Sequence, residues 1–181
     1  MKNTIPIAYH KSYKLNLPKG HRFPMDKYEL LPLKLIAEGI SSQENFFSPS
    51  YPNLNDIINV HDRHYVLKLK NLNLSKYEIR KIGFPLSKDL IDREFLITGG
   101  TIEGALKSLN QGVSMNIAGG THHSFADKGE GFCLLNDQAI AASYLLKNFE
   151  IKKILIIDLD VHQGNGTASI FNSNDMVFTF S

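Results

Sequence analysis

The sequence predicts an α/β fold built on a central, mostly parallel sheet, and three segments carry that prediction. The run Ile154-Leu155-Ile156-Ile157 is continuously apolar, the pattern of a parallel strand buried on both faces. A helical pattern precedes it, with Ala139, Ile140, Ala142, Leu145 and Leu146 on one side of Asn136 to Asn148. Apolar runs flank this pair, Gly112 to Ala118 before it and Met176 to Phe180 after it, so strands and helices alternate.

The remaining elements follow from local chemistry. Ile5 to Tyr9 reads as a first strand, with Pro6 tolerated at its start. Leu15 to Pro24 reads as loop because Pro18, Gly20 and Pro24 interrupt it. Asp26 to Glu38 reads as a helix in which Pro32 predicts a kink or a late start. Ser41 to Asn55 is polar and turn-rich. Leu54 to Val60 reads as a short helix with Asn55 or Asp56 as cap, and His64 to Leu69 as a second. Gly83-Phe84-Pro85 marks a loop. Arg93 to Leu109 reads as helix in patches, broken at Gly99-Gly100, with Thr101 capping the second patch. Lys153 to His162 is the best strand, and Thr167 to Phe171 a short helix before the last strand.

Composition sets the outer bounds. The chain has 181 residues, 43% hydrophobic and 21% charged, which fits one globular domain over 1–181. A net charge of +2 gives no broad basic field, so direct nucleic-acid binding is not expected. The single cysteine, Cys133, excludes an internal disulfide and a cysteine-rich zinc site. Met1 to Tyr9 lacks the apolar core of a secretory signal, and no apolar run has the length of a membrane span. The expected address is the cytoplasm, with no membrane partner. The apolar run Val177 to Phe180 lies directly before Ser181 with no covering element after it, so the domain is expected to be truncated there.

Two motifs carry the chemistry. In Asp158-Leu159-Asp160-Val161-His162, residues at spacing two share one side of a strand, so Asp158, Asp160 and His162 are expected together at its C-terminal end. Carboxylate plus imidazole suits zinc or another divalent transition ion. The plainer alternative is a polar exit from a buried strand. In Gly119-Gly120-Thr121-His122-His123, two histidines follow a glycine pair, which suits proton transfer; a solvated pair or two metal ligands are the alternatives. Gly131-Phe132-Cys133 reads as a channel wall or as a core anchor. Gly164-Asn165-Gly166 falls short of a dinucleotide loop, since Ser169 stands where the third glycine belongs, and reads as a tight turn.

Taken in order, four blocks resemble the histone deacetylase superfamily, in particular its bacterial, class IV-like branch. They are Gly20-His21-Arg22-Phe23-Pro24-Met25, Gly119-Gly120-Thr121-His122-His123, Gly131-Phe132-Cys133-Leu134-Leu135-Asn136-Asp137, and Asp158 through Thr167. The resemblance implies an arginase/deacetylase-like three-layer fold, incomplete in this chain. It implies a zinc-dependent amide hydrolase acting on N-acetyl-lysine or a related amine such as an acetylpolyamine. Zn2+ is the implied metal, with Fe2+ or another divalent ion as alternatives. By the same resemblance Asp160 and His162 are metal ligands, His122 and His123 the catalytic pair, and Asp158 the carboxylate that orients His122. Gly131 and Phe132 fall on the substrate channel, and Arg22 by a cavity for released acetate. Asp158, the carbonyls of Asp160 and His162, and Ser181 match a structural K+ or Na+ site. Asn165 stands where many members carry a carboxylate. The third metal carboxylate and the oxyanion-stabilising tyrosine of the family fall beyond Ser181, so little activity is expected of this chain alone. A non-catalytic binding module and a two-metal ureohydrolase are the competing readings, and the latter needs more carboxylates around Asp158 than the sequence supplies.

Overall fold

The computed structural model describes residues 5–181; of the N-terminal stretch read above, Met1 to Thr4 lie outside the described residues. The element order is β1 (Ile7–Ala8), α1 (Lys27–Ala37), β2 (Phe46–Phe47), α2 (Leu54–Ile58), α3 (Arg63–Lys70), α4 (Lys76–Ile82), α5 (Lys88–Gln111), β3 (Met115–Asn116), α6 (Asp137–Asn148), β4 (Ile154–Ile157), α7 (Asn165–Ile170) and β5 (Val177–Phe180). Every strand pairing is parallel, in two ladders ordered β2-β1-β3 and β4-β5. No described helix is long and apolar enough to cross a membrane.

The strands are shorter than the apolar runs predict, and β1 keeps only Ile7–Ala8 and β3 only Met115–Asn116. The helices instead start and stop on their side chains. Ser87 Oγ accepts the Leu90 N–H to open α5, Asp62 accepts the Tyr65 N–H to open α3, and the Asn136 side chain accepts the Ala139 N–H to open α6. α2 begins at Leu54, ahead of the expected cap at Asn55 or Asp56; Asn53 precedes it without a side-chain cap bond. Pro32 does not delay α1, which runs from Lys27 through it with the ring buried.

α5 overturns the expected break. It runs unbroken through Gly99-Gly100 for 24 residues, and Thr101 lies inside it. The two glycines serve close approach. A Cβ on Gly99 would lie 1.8 Å from the Ser50 carbonyl oxygen, and one on Gly100 would lie 2.4 Å from the Tyr13 hydroxyl. The main core forms around this helix, with Tyr13, Ile57, Leu69, Phe84, Ile97 and Leu134 fully enclosed.

β4 also differs from expectation, in length and in cover. It ends at Ile157, and Asp158 to His162 leave the strand. The cause is local: Asp158 Oδ1 accepts the Asp160 N–H at 3.0 Å, and Asp160 Oδ1 accepts the His162 N–H at 2.8 Å. Two successive side-chain turns outcompete the ladder. Only one face of β4-β5 is covered, where Ile156 and Val177 join Ala139, Ala142 and Phe171. On the other face Leu155 and Ile157 remain 57% and 55% exposed, because among the described residues helices pack on one side alone.

His61 ties α2 to the second half of the chain. Its ring is 2% exposed, and Nε2 accepts the Asn136 N–H at 2.9 Å. Nδ1 therefore holds the proton, beside the Phe125 and Ala126 carbonyls but without a bond of normal geometry. Burial drives the imidazole down to about 4 from 6.5, against the pull of those two carbonyls.

Two outcomes follow from these contacts. Gly99→Ala should destabilise the fold by about 2 kcal/mol or more, since overpacking against backbone outweighs the roughly 1 kcal/mol gained in helix propensity. Thermal unfolding followed by circular dichroism measures it, and an unchanged midpoint would refute the close contact. For His61 the unfolded chain binds the extra proton between about 4 and 6.5. Its contribution is therefore complete above about 6.5 and lost as pH falls toward 4. Urea unfolding across that window should show a wild-type slope worth on the order of 3 kcal/mol that His61→Gln lacks. Parallel profiles for the two proteins would rule this out.

Candidate active site

The loop after β3 and the turns after β4 meet on a cavity of about 610 Å³. His122, His123, Asp160 and His162 line it together, with Gly131, Phe132 and Arg22 on the same cavity. All of these were expected from the sequence. Asp158 stands behind them, beside His122. The expected strand face is not what gathers Asp158, Asp160 and His162; β4 ends before them and side-chain turns bring them together.

Each histidine has a partner that fixes its proton. His122 Nδ1 donates to Asp158 Oδ2 at 2.5 Å, with side chains 8% and 11% exposed. Its Nε2 lies 3.9 Å from Asp160 Oδ1. His123 Nδ1 donates to Asn165 Oδ1 at 2.7 Å. Asn165 Oδ1 also accepts the Gly166 N–H at 2.9 Å, which fixes the oxygen toward the histidine. In both rings Nε2 is left as the unprotonated nitrogen of the neutral form. The rings sit 4.1 Å apart, centroid to centroid, and His162 lies 5.9 Å from His123. Glycines make room for this packing: a Cβ on Gly164 would meet Asp158 Oδ2 at 2.4 Å, and one on Gly131 would meet the His123 ring at 2.8 Å.

Asp160 Oδ1 and His162 Nδ1 are 3.1 Å apart. That separation is close to the edge of a tetrahedron with arms of roughly 2 Å, so one small divalent ion fits between them. The His162 backbone N–H holds the Asp160 carboxyl below its usual range, against burial, with the His162 side chain and the charges of His122 and His162 adding to the lowering. Among the described residues no group of three or more His, Cys, Asp or Glu side chains is placed to hold a metal. Asp158 and Ser181 share a smaller cavity of about 110 Å³, where the Ser181 hydroxyl accepts the Gly164 N–H at 2.8 Å. The side chains of Asp160 and His162 face the larger cavity instead.

Phe132 adopts a left-handed backbone, φ +69°, unusual for a bulky residue. Two bonds impose it, from the Gly131 N–H to the Lys81 carbonyl at 3.0 Å and from the Phe132 N–H to the Ile82 carbonyl at 2.7 Å. The ring packs 5.0 Å from both Phe23 and Phe84, and the Arg22 guanidinium lies 4.9 Å above it. His21 braces this wall by donating from Nε2 to the Gly83 carbonyl at 2.9 Å while Nδ1 accepts the Phe23 N–H. Cys133 is buried, and burial pushes its thiol up to about 12, so it presents no thiolate.

Several residues that build this site were not singled out from sequence. Asn136 and Asp137 hold the histidine loop from behind. The Asn136 amide donates to the Ser124 carbonyl at 3.1 Å and to Thr167 Oγ1 at 3.0 Å. Asp137 accepts the Thr121 N–H at 2.9 Å and the Thr101 hydroxyl at 2.6 Å. The available signal was the pair itself: two short polar residues at the start of an apolar helix satisfy more than a cap requires. His61, Lys27 and Arg93 carried no local signal, because their partners lie far along the chain.

Known proteins resemble this chain in sequence and in fold. The family model described as the histone deacetylase domain matches residues 21–181. An uncharacterized protein of Picosynechococcus is 42% identical over 97% of this chain and 59% of its own length. Histone deacetylase 2 of Arabidopsis thaliana is 28% identical over 96% of this chain and 47% of its own length. Human histone deacetylase 1 is 29% identical over 90% of this chain and 36% of its own length. Among solved structures, an HDAC homologue complexed with SAHA and an HDAC homologue from Aquifex aeolicus each superpose with TM-score 0.82 at 26% identity, covering 97% of this chain and 50% of theirs. The chain thus spans about half the length of the relatives it matches, and over that span it belongs to the histone deacetylase family.

Proposed function

We propose that this chain carries the metal and proton-transfer half of a zinc-dependent deacetylase site, hydrolysing the acetamide of N-acetyl-lysine or of an acetylated amine such as an acetylpolyamine. The observation that supports it most is the pairing of both histidines through Nδ1, to Asp158 and to Asn165, beside a carboxylate and an imidazole 3.1 Å apart. Further support comes from Phe132 and Gly131 lining the same cavity as the histidines, and from a solved family homologue complexed with SAHA.

Asp160 and His162 would hold the ion; Zn2+ fits the donor pair, and Fe2+ also accepts imidazole and carboxylate. Bound there, the ion supplies Lewis acidity toward the acyl carbonyl and lowers the pKa of water. His123 accepts the proton of the attacking water at Nε2 and passes it to the amine as the C–N bond breaks. Asn165 holds the His123 ring through a neutral amide oxygen, which fixes its orientation. His122, held in place by the Asp158 carboxylate, directs its Nε2 side toward the cavity and supports the developing oxyanion. Phe132 grips the aliphatic stem, with Gly131 leaving room for His123. Asp158 and Ser181, with the carbonyls of Asp160 and His162, form the proposed K+ or Na+ site; support for it is the small cavity that Asp158 and Ser181 share.

A non-catalytic binding module is the second reading. It is favoured by one observation, that two donors and no third metal-holding group occur among the described residues.

Zinc should bind one per chain but exchange out on dialysis, because catalytic zinc usually has three protein ligands. Asp160→Ala and His162→Ala should abolish binding and His123→Ala should keep it, as read by metal analysis. Acetate release is then measured on the chain and on the chain joined to the C-terminal part of the Picosynechococcus relative. The fusion should turn over an acetyl-lysine peptide only with zinc, and His123→Ala should cut that by about 10²–10⁴-fold. A fusion that binds zinc and releases no acetate would favour the binding module. A fully active, metal-loaded His123→Ala would remove the role given to that ring.

A further inference from the structure

The cavity carries more positive charge than an acetyl group can use. Arg22, Lys27 and Arg93 all line it. They sit on one aromatic wall: Arg22 lies 4.9 Å over Phe132, Lys27 lies 4.9 Å over Phe23, and Arg93 lies 4.9 Å over Tyr28. Phe23 joins the three rings, 5.0 Å from Phe132 and 6.2 Å from Tyr28.

The cations differ in how they are held. Arg93 comes from the buried face of α5, with a side chain 2% exposed. Its Nε donates to the Tyr13 carbonyl at 2.7 Å and an Nη1 hydrogen pairs with Glu94. A guanidinium has five N–H donors, so this anchoring leaves a fixed fork with donors to offer. Arg22 and Lys27 have no carboxylate at ion-pair distance among the described residues. Glu94 balances Arg93 alone, and Asp160 belongs to the ion site. Burial, and next the charge of Arg93, lower the Lys27 pKa, with Asp160 opposing, as expected where cations outnumber anions.

Arg22 and Lys27 stay exposed on the cavity wall, while Arg93 is buried, so a methyl group against Arg93 would leave its remaining donors unpaired, which is unfavourable. A carboxylate there would accept from them. The sequence resemblance assigns Arg22 to acetate after hydrolysis, but Lys27 and Arg93 make a stronger anion field than one small product needs. We infer that the preferred substrate is an acyl-lysine whose acyl chain itself ends in a carboxylate, of the succinyl type, with that carboxylate held by Arg22, Lys27 and Arg93. This rests on the deacylase reading above and deepens it. The chemistry is unchanged. Water adds to the acyl carbon, the C–N bond breaks with its electron pair to nitrogen, and His123 carries the proton to the amine. The products are the free lysine and a dicarboxylate.

The test is calorimetric titration of the 181-residue chain, with zinc present, against one peptide carrying N-succinyl-lysine or N-acetyl-lysine, with sodium acetate as a third ligand. The succinyl peptide should bind about tenfold tighter than the acetyl peptide, the worth of one charge-assisted hydrogen-bond pair. That ratio should shrink with added salt and fall in Arg22→Gln and Lys27→Gln. Arg93→Lys keeps the buried charge and should lower the ratio through loss of the fork, with folding checked by circular dichroism. Equal affinity for both peptides overturns the inference and leaves the deacetylase reading standing. If neither peptide binds, both readings fall. Acetate binding as tightly as the succinyl peptide marks a product-anion site and overturns it, as does a succinyl preference that survives all three substitutions.

Discussion

A loop that carries the histidine pair has no helix or ladder to satisfy its backbone, so other side chains must do so. Here Asn136 and Asp137 meet that requirement from the first turn of α6. Asn136 reaches the Ser124 carbonyl and α7, while Asp137 reaches Thr121 and α5. Thr167 then donates from its backbone to the His122 carbonyl at 3.1 Å. Both residues are buried, so these bonds are not shared with water. The positions of His122 and His123 are therefore set by three helices rather than by the loop itself.

The metal-facing side is organised differently. Asp158 and Asp160 each capture an N–H two residues ahead, and the chain coils tightly at the end of β4. The same carboxylates then serve outward, Asp158 toward His122 and Asp160 toward His162. One residue type at spacing two thus supplies the turn and the site together. This is why the apolar strand stops where the chemistry begins.

Much of this was legible in the sequence because it was local or because the motif was long. α6 from Asn136 and the strand β5 were readable from apolar periodicity alone, and the structure adds the Asn136 cap. His122, His123, Phe132, Asp160 and His162 on the cavity lie within the ordered blocks. What escaped was set by distant partners. Gly99-Gly100 looks like a helix break until Ser50 and Tyr13 are seen against it. The run at β4 looks buried on both faces, yet the described helices cover one. His61 and Arg93 are ordinary letters in sequence, and their roles come from Asn136 and Tyr13, 75 and 80 positions away.

Gly83 closes α4 with φ +87°, and a Cβ there would lie 2.9 Å from the Phe132 ring. Two constraints therefore fall on one position: a left-handed backbone and an aromatic neighbour 49 residues later. Relaxing either alone gains nothing. A lineage that replaced Phe132 with a smaller side chain would still be bound to glycine at 83 by the backbone. One that reshaped the end of α4 would move the Lys81 and Ile82 carbonyls that hold Gly131 and Phe132 in place. The width of the cavity at Phe132 should thus drift in steps that involve both segments, with the α4 terminus changing first.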